Sequence, residues 1–399
     1  MSAFRVRAWT IVVATAVAGV VLAPSPPAAL AARFGVDSTE DDVDAAPGDG
    51  LCRTAAGACT LRAAVQETNA LAGEDEIRVP AGTYLLTRQD VEDDVGATGD
   101  LDVHDRLRVI GDGPDATIVD GNRMSRLFDA TATPRLALVG LRLRHGEASY
   151  GGAVYAPSPL VLKRVVVESN HAYVAGGVAG FGRLRIFSSS VQDNVATIAP
   201  GLAVASGPAR VRDSTFAGNT LEGSGPPVGG SDILANGGGR LVIVNSTIAG
   251  EIGNLAYCNP PPDFFCSPGN DVVLANVTAD VVSFRIRAFE GGSYTVRNSI
   301  IGSCLTPIVS QGYVLAGSEC TVGGDLTGVT TGVDPMLDEL EDNGGPTRTR
   351  LPLPASPAID AGNPAPPGSG PTACVARDQR GVVRPAGERC DIGAVEVGP

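Results

Sequence analysis

Leu136–Gly146 reads LALVGLRLRHG, Leu160–Asn170 reads LVLKRVVVESN and Leu184–Asn194 reads LRIFSSSVQDN. Four further segments lay over them: ARVRDSTFAGN from Ala209, LVIVNSTIAG from Leu241, VVLANVTAD from Val272 and YTVRNSIIG from Tyr294. Successive starts are separated by 24, 24, 25, 32, 31 and 22 residues. Looser copies begin at Ile77 and Leu107. Positions one and three are apolar, as in Leu136/Leu138, Leu160/Leu162 and Leu184/Ile186. Alternation at period two marks a strand with one buried face. Position five turns polar (Ser188, Asp213, Asn245, Asn276, Asn298), and an apolar residue returns at position eight (Leu143, Val167, Val191, Phe216). The strand therefore bends at a polar residue and a second strand follows. Asn170, Asn194 and Asn219 close three successive units, and a third strand follows each (GGAVYA, GGVAG, GLAVAS). A repeat of this length without helical periodicity is a solenoid. Three short strands per coil give an all-β, right-handed parallel β-helix. Stacked asparagines would hydrogen-bond from coil to coil at the corner.

The ends differ, because an uncapped solenoid exposes its lumen and strand edges. Arg5 and Arg7, the apolar run Ala8–Ala23 and Ala29-Leu30-Ala31 read as an export signal over residues 1–31. A short helix beginning at Leu61, with Thr60 as N-cap, serves as an N-terminal lid over residues 32–75. Coils fill 76–330, and a Pro/Gly-rich segment, 331–399, runs along or closes the C-terminal end. The eight cysteines of an exported chain read as disulfides: Cys52–Cys59, Cys258–Cys266, Cys304–Cys320 and Cys374–Cys390.

Two segments resemble those of known proteins. Asp49-Gly-Leu-Cys52 with Gly57-Ala-Cys-Thr-Leu-Arg-Ala-Ala64 resembles the CSLREA-type N-terminal region of secreted bacterial β-helix proteins. Thr60 and Ala63 replace that motif's Ser and Glu. Asp342-Asn-Gly-Gly-Pro-Thr347, Ser356–Gly362, Asp378-Gln-Arg-Gly381 and Cys390-Asp-Ile-Gly-Ala394 resemble the choice-of-anchor region of the same class. With the repeats between them, the resemblance spans roughly residues 34 to 396. It implies a pectin-lyase-like fold, which hosts lyases, glycoside hydrolases, adhesins and inert scaffolds.

The chain has 30 Lys and Arg against 44 Asp and Glu, a net charge of −14. Removing Arg5 and Arg7 leaves 28 against 44, or −16. This balance disfavours a nucleic-acid partner, and the mature chain has no apolar run fit to span a membrane. A monomer, extracellular or attached to the cell envelope, is expected. Candidate catalytic residues are Glu147, His171 and Asp193. Glu147 and His171 fall at equivalent positions one coil apart, and a histidine beside a carboxylate can act as a general base. His145 lies close by, with Asp193 at its position two coils on. Tyr150, Tyr155 and Tyr173 cluster in the same coils as platforms for sugar rings. Arg285 and Arg287 alternate on one strand and would grip an acidic sugar. Arg144 and Glu168 look like a ladder ion pair. No cofactor and no metal site are assigned. Calcium is the one ion considered, at the acidic runs Asp37–Asp44 and Asp90–Asp100. The function expected is a scaffold or binding protein contacting extracellular or cell-wall polysaccharide. The alternative is a polysaccharide lyase or glycoside hydrolase.

Overall fold

The computed structural model describes residues 31–89, 96–131, 133–205, 207–222, 232–258, 266–267, 270–286 and 292–398. Side chains are not described for 254–258, 266–267 and 283–286. The export signal, Arg287 and the Arg285 side chain lie outside the described residues. So do the side chains of Cys258 and Cys266, although their backbones face each other in a short antiparallel pair.

The strands stack in parallel and in the register that the repeat implies. Leu136 pairs with Leu160, Leu160 with Leu184, Leu184 with Ala209, Ala209 with Leu241, Leu241 with Val272 and Val272 with Tyr294. The fold is a right-handed parallel β-helix. Three strand columns wall the lumen. They are exemplified by Leu184–Phe187, Ser190–Gln192 and Leu202–Val204, called here the first, second and third sheets. In four coils the bridge after the second strand is itself a short strand. Glu147–Tyr150, His171–Val174, Val195–Ile198 and Thr220–Leu221 form this separate sheet. Side chains at positions one, three and eight are fully buried, including Leu138, Leu162, Ile186, Leu143, Val167 and Phe216. Such a core is continuous from coil to coil, and apolar burial of about 1.5–3 kcal/mol per large side chain drives the stacking.

The bends are single residues in the left-handed region. Arg164, Ser188, Asp213, Asn245, Asn276 and Asn298, all at position five, have φ between 46° and 54°. Short polar side chains tolerate that conformation better than branched ones. A second corner follows at His145, Ser169, Asp193 and Gly218 (φ 56°, 55°, 54° and 66°). The asparagine ladder forms as expected. The Asn170 backbone N–H and Nδ2 donate to Asn194 Oδ1 (3.0 and 2.9 Å), and the same Asn194 groups donate to Asn219 Oδ1 (3.1 and 2.9 Å). Asn194 Nδ2 also donates to the Val167 carbonyl (3.1 Å). Asn194→Ala leaves buried donors and acceptors unpaired in both adjacent coils. It is expected to cost about 1–3 kcal/mol, measured as a lower urea midpoint.

The first coil differs from the sequence reading by two residues. Ile77 pairs with Val109, and it is Asp75 that pairs with Leu107. Position one of this coil is therefore a buried carboxylate. Its Oδ1 accepts the Ala32 N–H at 2.7 Å, and burial pushes its pKa up. It sits beneath the N-terminal cap, where the lumen ends and a polar residue can close it.

The helix Leu61–Ala70 covers that end, with Thr60 Oγ1 accepting the Ala63 N–H at 3.0 Å. Leu61, Ala64 and Val65 face the core. Disulfides join Cys52–Cys59, Cys304–Cys320 and Cys374–Cys390. The C-terminal segment turns back along the outside of the second sheet. Gln379 Nε2 donates to Thr215 Oγ1 and Thr347 Oγ1 (both 2.9 Å), and its Oε1 accepts from Thr247 Oγ1 (2.8 Å). Asn245 and Asn276, the residues of two glycosylation-like triplets, are buried here. Asn245 Nδ2 donates to the Arg377 carbonyl, and Asn276 Oδ1 accepts the Val375 N–H. Their place in the corner ladder and against this segment accounts for both. Among the described residues no helix is long and apolar enough to cross a membrane.

Candidate functional site

Glu147 and His171 are direct neighbours in the short fourth sheet. His171 Nδ1 lies 3.8 Å from Glu147 Oε1, and its Nε2 lies 2.5 Å from Glu222 Oε2. The imidazole thus bridges two carboxylates on an open surface, a ladder of side chains rather than a walled cleft. Tyr173, 57% exposed, sits two residues along the same strand and the same face. His145 is held elsewhere, with Nδ1 3.1 Å from both Asp120 oxygens. Burial opposes the charge on Asp120, but the Asn122 N–H, Arg144 and His145 outweigh it and hold its pKa below the usual value. Asp193 does not join His171. Its Oδ1 instead lies beside Gly218, 2.3 Å from where an ideal Cβ would stand.

Arg144 and Glu168 do stand in register, but they do not pair. Arg144 Nε binds Asp120 Oδ2 (2.7 Å), while Glu168 binds Arg142 Nη1 (2.7 Å) and Gln192 Nε2 (2.9 Å).

Tyr150 and Tyr155 come together, ring centroids 6.3 Å apart, and Tyr155 meets Phe181 edge-on at 5.7 Å. Arg126 lies 5.2 Å over the Tyr155 ring. Beside them Asp100, Asp102 and Asp129 bring carboxylate oxygens within 4.8 Å of one another, half-buried on the third sheet. Hard oxygen ligands at this spacing suit a calcium ion. Arg126 competes for them: its Nη1 lies 3.5 Å from Asp100 and pairs more closely with Asp129. The other acidic run is committed to the cap. Asp37 accepts the Cys59 N–H, Asp44 accepts those of Ala46 and Arg53, and Asp41 is paired with Arg62.

The outward face of the first sheet carries a feature that the repeat alone did not bring out. Arg183, Arg185, Arg210 and Arg240 are exposed there, and none has a carboxylate partner among the described residues. They line a groove of about 260 Å³ with Pro208 and Val242. A second groove of about 270 Å³ shares Arg183 and Arg185 and adds Arg135, Pro159 and Val161. Exposed Lys163, Arg106 and Arg108 continue the row toward the N-terminal end. Parallel register explains part of it: Arg185 pairs with Arg210, so these two guanidinium groups stand one coil, about 4.8 Å, apart. Like charges at that spacing repel, an unfavourable arrangement that an anionic ligand would relieve.

No family model matches the sequence, and no curated protein does. Among solved structures, the crystal structure of pectate lyase Pel9A is similar over 92% of this chain and 97% of its own, at 11% identity and a TM-score of 0.45.

Proposed function

We propose that the chain is an extracellular or envelope-associated β-helix that binds an acidic polysaccharide along the first sheet. The arginine row carries this reading. A protein of net charge −14 keeps a row of guanidinium groups on one face, four of them without a carboxylate partner among the described residues, over shallow grooves with apolar floors. Guanidinium groups meet carboxylates with paired, charge-assisted hydrogen bonds. A uronate chain laid along the helix axis would present a carboxylate to successive coils.

Equilibrium binding to polygalacturonate, with neutral glucan and DNA as comparators, tests this. Arg185→Ala should weaken polygalacturonate binding about tenfold or more, since a hydrogen bond to a charged group contributes about 1.5–3 kcal/mol. Added salt should weaken it further. Equal affinity for the neutral glucan, or no effect of Arg185→Ala, would exclude the face.

The acidic cluster supports a second reading, a calcium-assisted lyase acting on the same class of polymer. Asp100, Asp102 and Asp129 would hold the ion, and Arg126 with the Tyr155 ring would lie beside the sugar. Absorbance of unsaturated products, followed in the same samples with and without Ca²⁺, separates the two readings. Turnover that requires Ca²⁺ and fails in Arg126→Ala supports the lyase.

A further inference from the structure

The residue just before each first-sheet strand alternates in kind from coil to coil. It is Arg135, Pro159, Arg183, Pro208 and Arg240 in five successive coils. Backbone pairing aligns these residues in one column. The N–H groups of Leu136, Leu160 and Leu184 donate to the carbonyls of Pro159, Arg183 and Pro208 in the next coil (3.0, 2.9 and 3.1 Å). Ala209 pairs with Leu241, which sets Pro208 beside Arg240 across the longer insertion. All five residues are exposed. Proline is admitted because the position lies just outside the strand, where no ladder N–H is needed.

The two grooves on this face follow the same alternation. One holds Arg135, Pro159 and Arg183, the other Arg183, Pro208 and Arg240. Each sets a proline ring between two guanidinium groups, and Arg183 serves both. Arg135 also lies 3.5 Å from Glu74, an exposed pair of little strength. Arg185 and Arg210, two residues further along their strands, stand in adjacent coils and do not alternate. They attract any polyanion. The alternating column can tell one polyanion from another.

Coils rise about 4.8 Å, so the arginines of this column stand about 9.6 Å apart. A pyranose unit in an extended chain is about as long as one coil is high. A homopolymer of uronate therefore presents a carboxylate to every coil, and every second one meets a proline. That ring displaces water from the anion and returns no hydrogen bond, which is costly. A polymer with a carboxylate on every second sugar avoids the cost. Its acids meet Arg135, Arg183 and Arg240, and the C–H faces of its intervening sugars cover Pro159 and Pro208. We propose that the arginine face selects a linear polysaccharide in which a uronate alternates with an uncharged sugar. This rests on the reading of the face as an acidic-polysaccharide site and narrows its ligand. The prolines reject the wrong polymer as the arginines hold the right one.

Calorimetric titration with three β-linked hexasaccharides tests it. They are a hyaluronan hexasaccharide (glucuronate alternating with N-acetylglucosamine), a mannuronate hexamer (a carboxylate on every sugar) and an N-acetylglucosamine hexamer (none). Charge alone would rank the mannuronate hexamer first. The column ranks the alternating oligomer first, by about tenfold or more, because a carboxylate over a proline lacks a donor. Pro159→Arg combined with Pro208→Arg fills the column. Arginine already occupies this position in the neighbouring coils, so the exchange suits the backbone. The double variant should reverse the ranking. Equal or tighter binding of the mannuronate hexamer by the natural chain would overturn the alternation and leave the acidic-polysaccharide reading standing. A preference for the alternating oligomer that survives the double substitution would also overturn it. Binding of neither acidic oligomer above the N-acetylglucosamine hexamer would overturn the proposal together with the reading it rests on.

Discussion

Arg62→Ala should destabilise the N-terminal cap by about 3–5 kcal/mol, the cost of breaking a buried ion pair from one side. The Arg62 side chain is fully buried. Its Nε meets Asp41 Oδ1 at 2.6 Å, and Nη2 meets Oδ2 at 3.3 Å. Its remaining donors reach the carbonyls of Gly96 (2.9 Å), Gly99 (2.7 Å) and Asp100 (3.0 Å). Asp41 Oδ2 also accepts the N–H groups of Thr87 and Arg88. Removing the guanidinium strands Asp41 in a dry site and frees the 96–100 loop at once. That loop carries Asp100, so the acidic cluster on the third sheet should loosen too. Urea unfolding and limited proteolysis report the two effects. Arg62→Lys should rescue little, because an ammonium cannot span the same fork of carbonyls. An unfolding midpoint unchanged in Arg62→Ala would show that the cap does not depend on this pair.

Arg62 belongs to the motif Cys59-Thr-Leu-Arg62, and its role shows what the sequence could convey. The motif residues build the lid, and Arg62 ties it to the 96–100 loop. The same holds at the other end, where Gln379 of Asp378-Gln-Arg-Gly381 fastens the returning segment to the second sheet. Segments recognised by resemblance thus carried architecture. The coils were legible because parallel stacking forces identical register, so the Leu136, Leu160 and Leu184 starts had to pair. The first coil was misread because its position-one residue is Asp75, which breaks the apolar pattern while still occupying the lumen. The arginine row was present in the sequence, one residue before and one after position one: Arg183 and Arg185 around Leu184, Arg210 after Ala209, Arg240 before Leu241. It emerges only when outward positions are summed across coils. Asp232 was hidden for another reason. The insertion after Leu221 interrupts the spacing, and only the pairing of Leu202 with Ile233 places this acid in a column of glycines.

That placement makes Asp232, buried with its Oδ1 accepting from Asn219 Nδ2 at 2.6 Å, a strongly pH-dependent element of the fold. Its folded pKa, about 7, lies above the ordinary value of 3.8. Below about pH 4 the group is protonated whether the chain is folded or not, and it costs nothing. Between the two values the unfolded chain releases the proton while the folded chain retains it, so stability falls as pH rises. Above about pH 7 the loss is complete, near 4 kcal/mol at about 1.4 kcal/mol per pKa unit. Asp391, raised to about 6 by burial first, acts in the same direction but less strongly, because both its oxygens accept backbone N–H groups, from Asp360 and Val397. Asp232→Asn removes the titration and keeps the acceptor for Asn219. The variant and the natural chain should therefore unfold at nearly the same urea concentration near pH 4. At about pH 8 the variant should be the more stable by most of that 4 kcal/mol. Midpoints that shift in parallel at both pH values would show that Asp232 titrates normally.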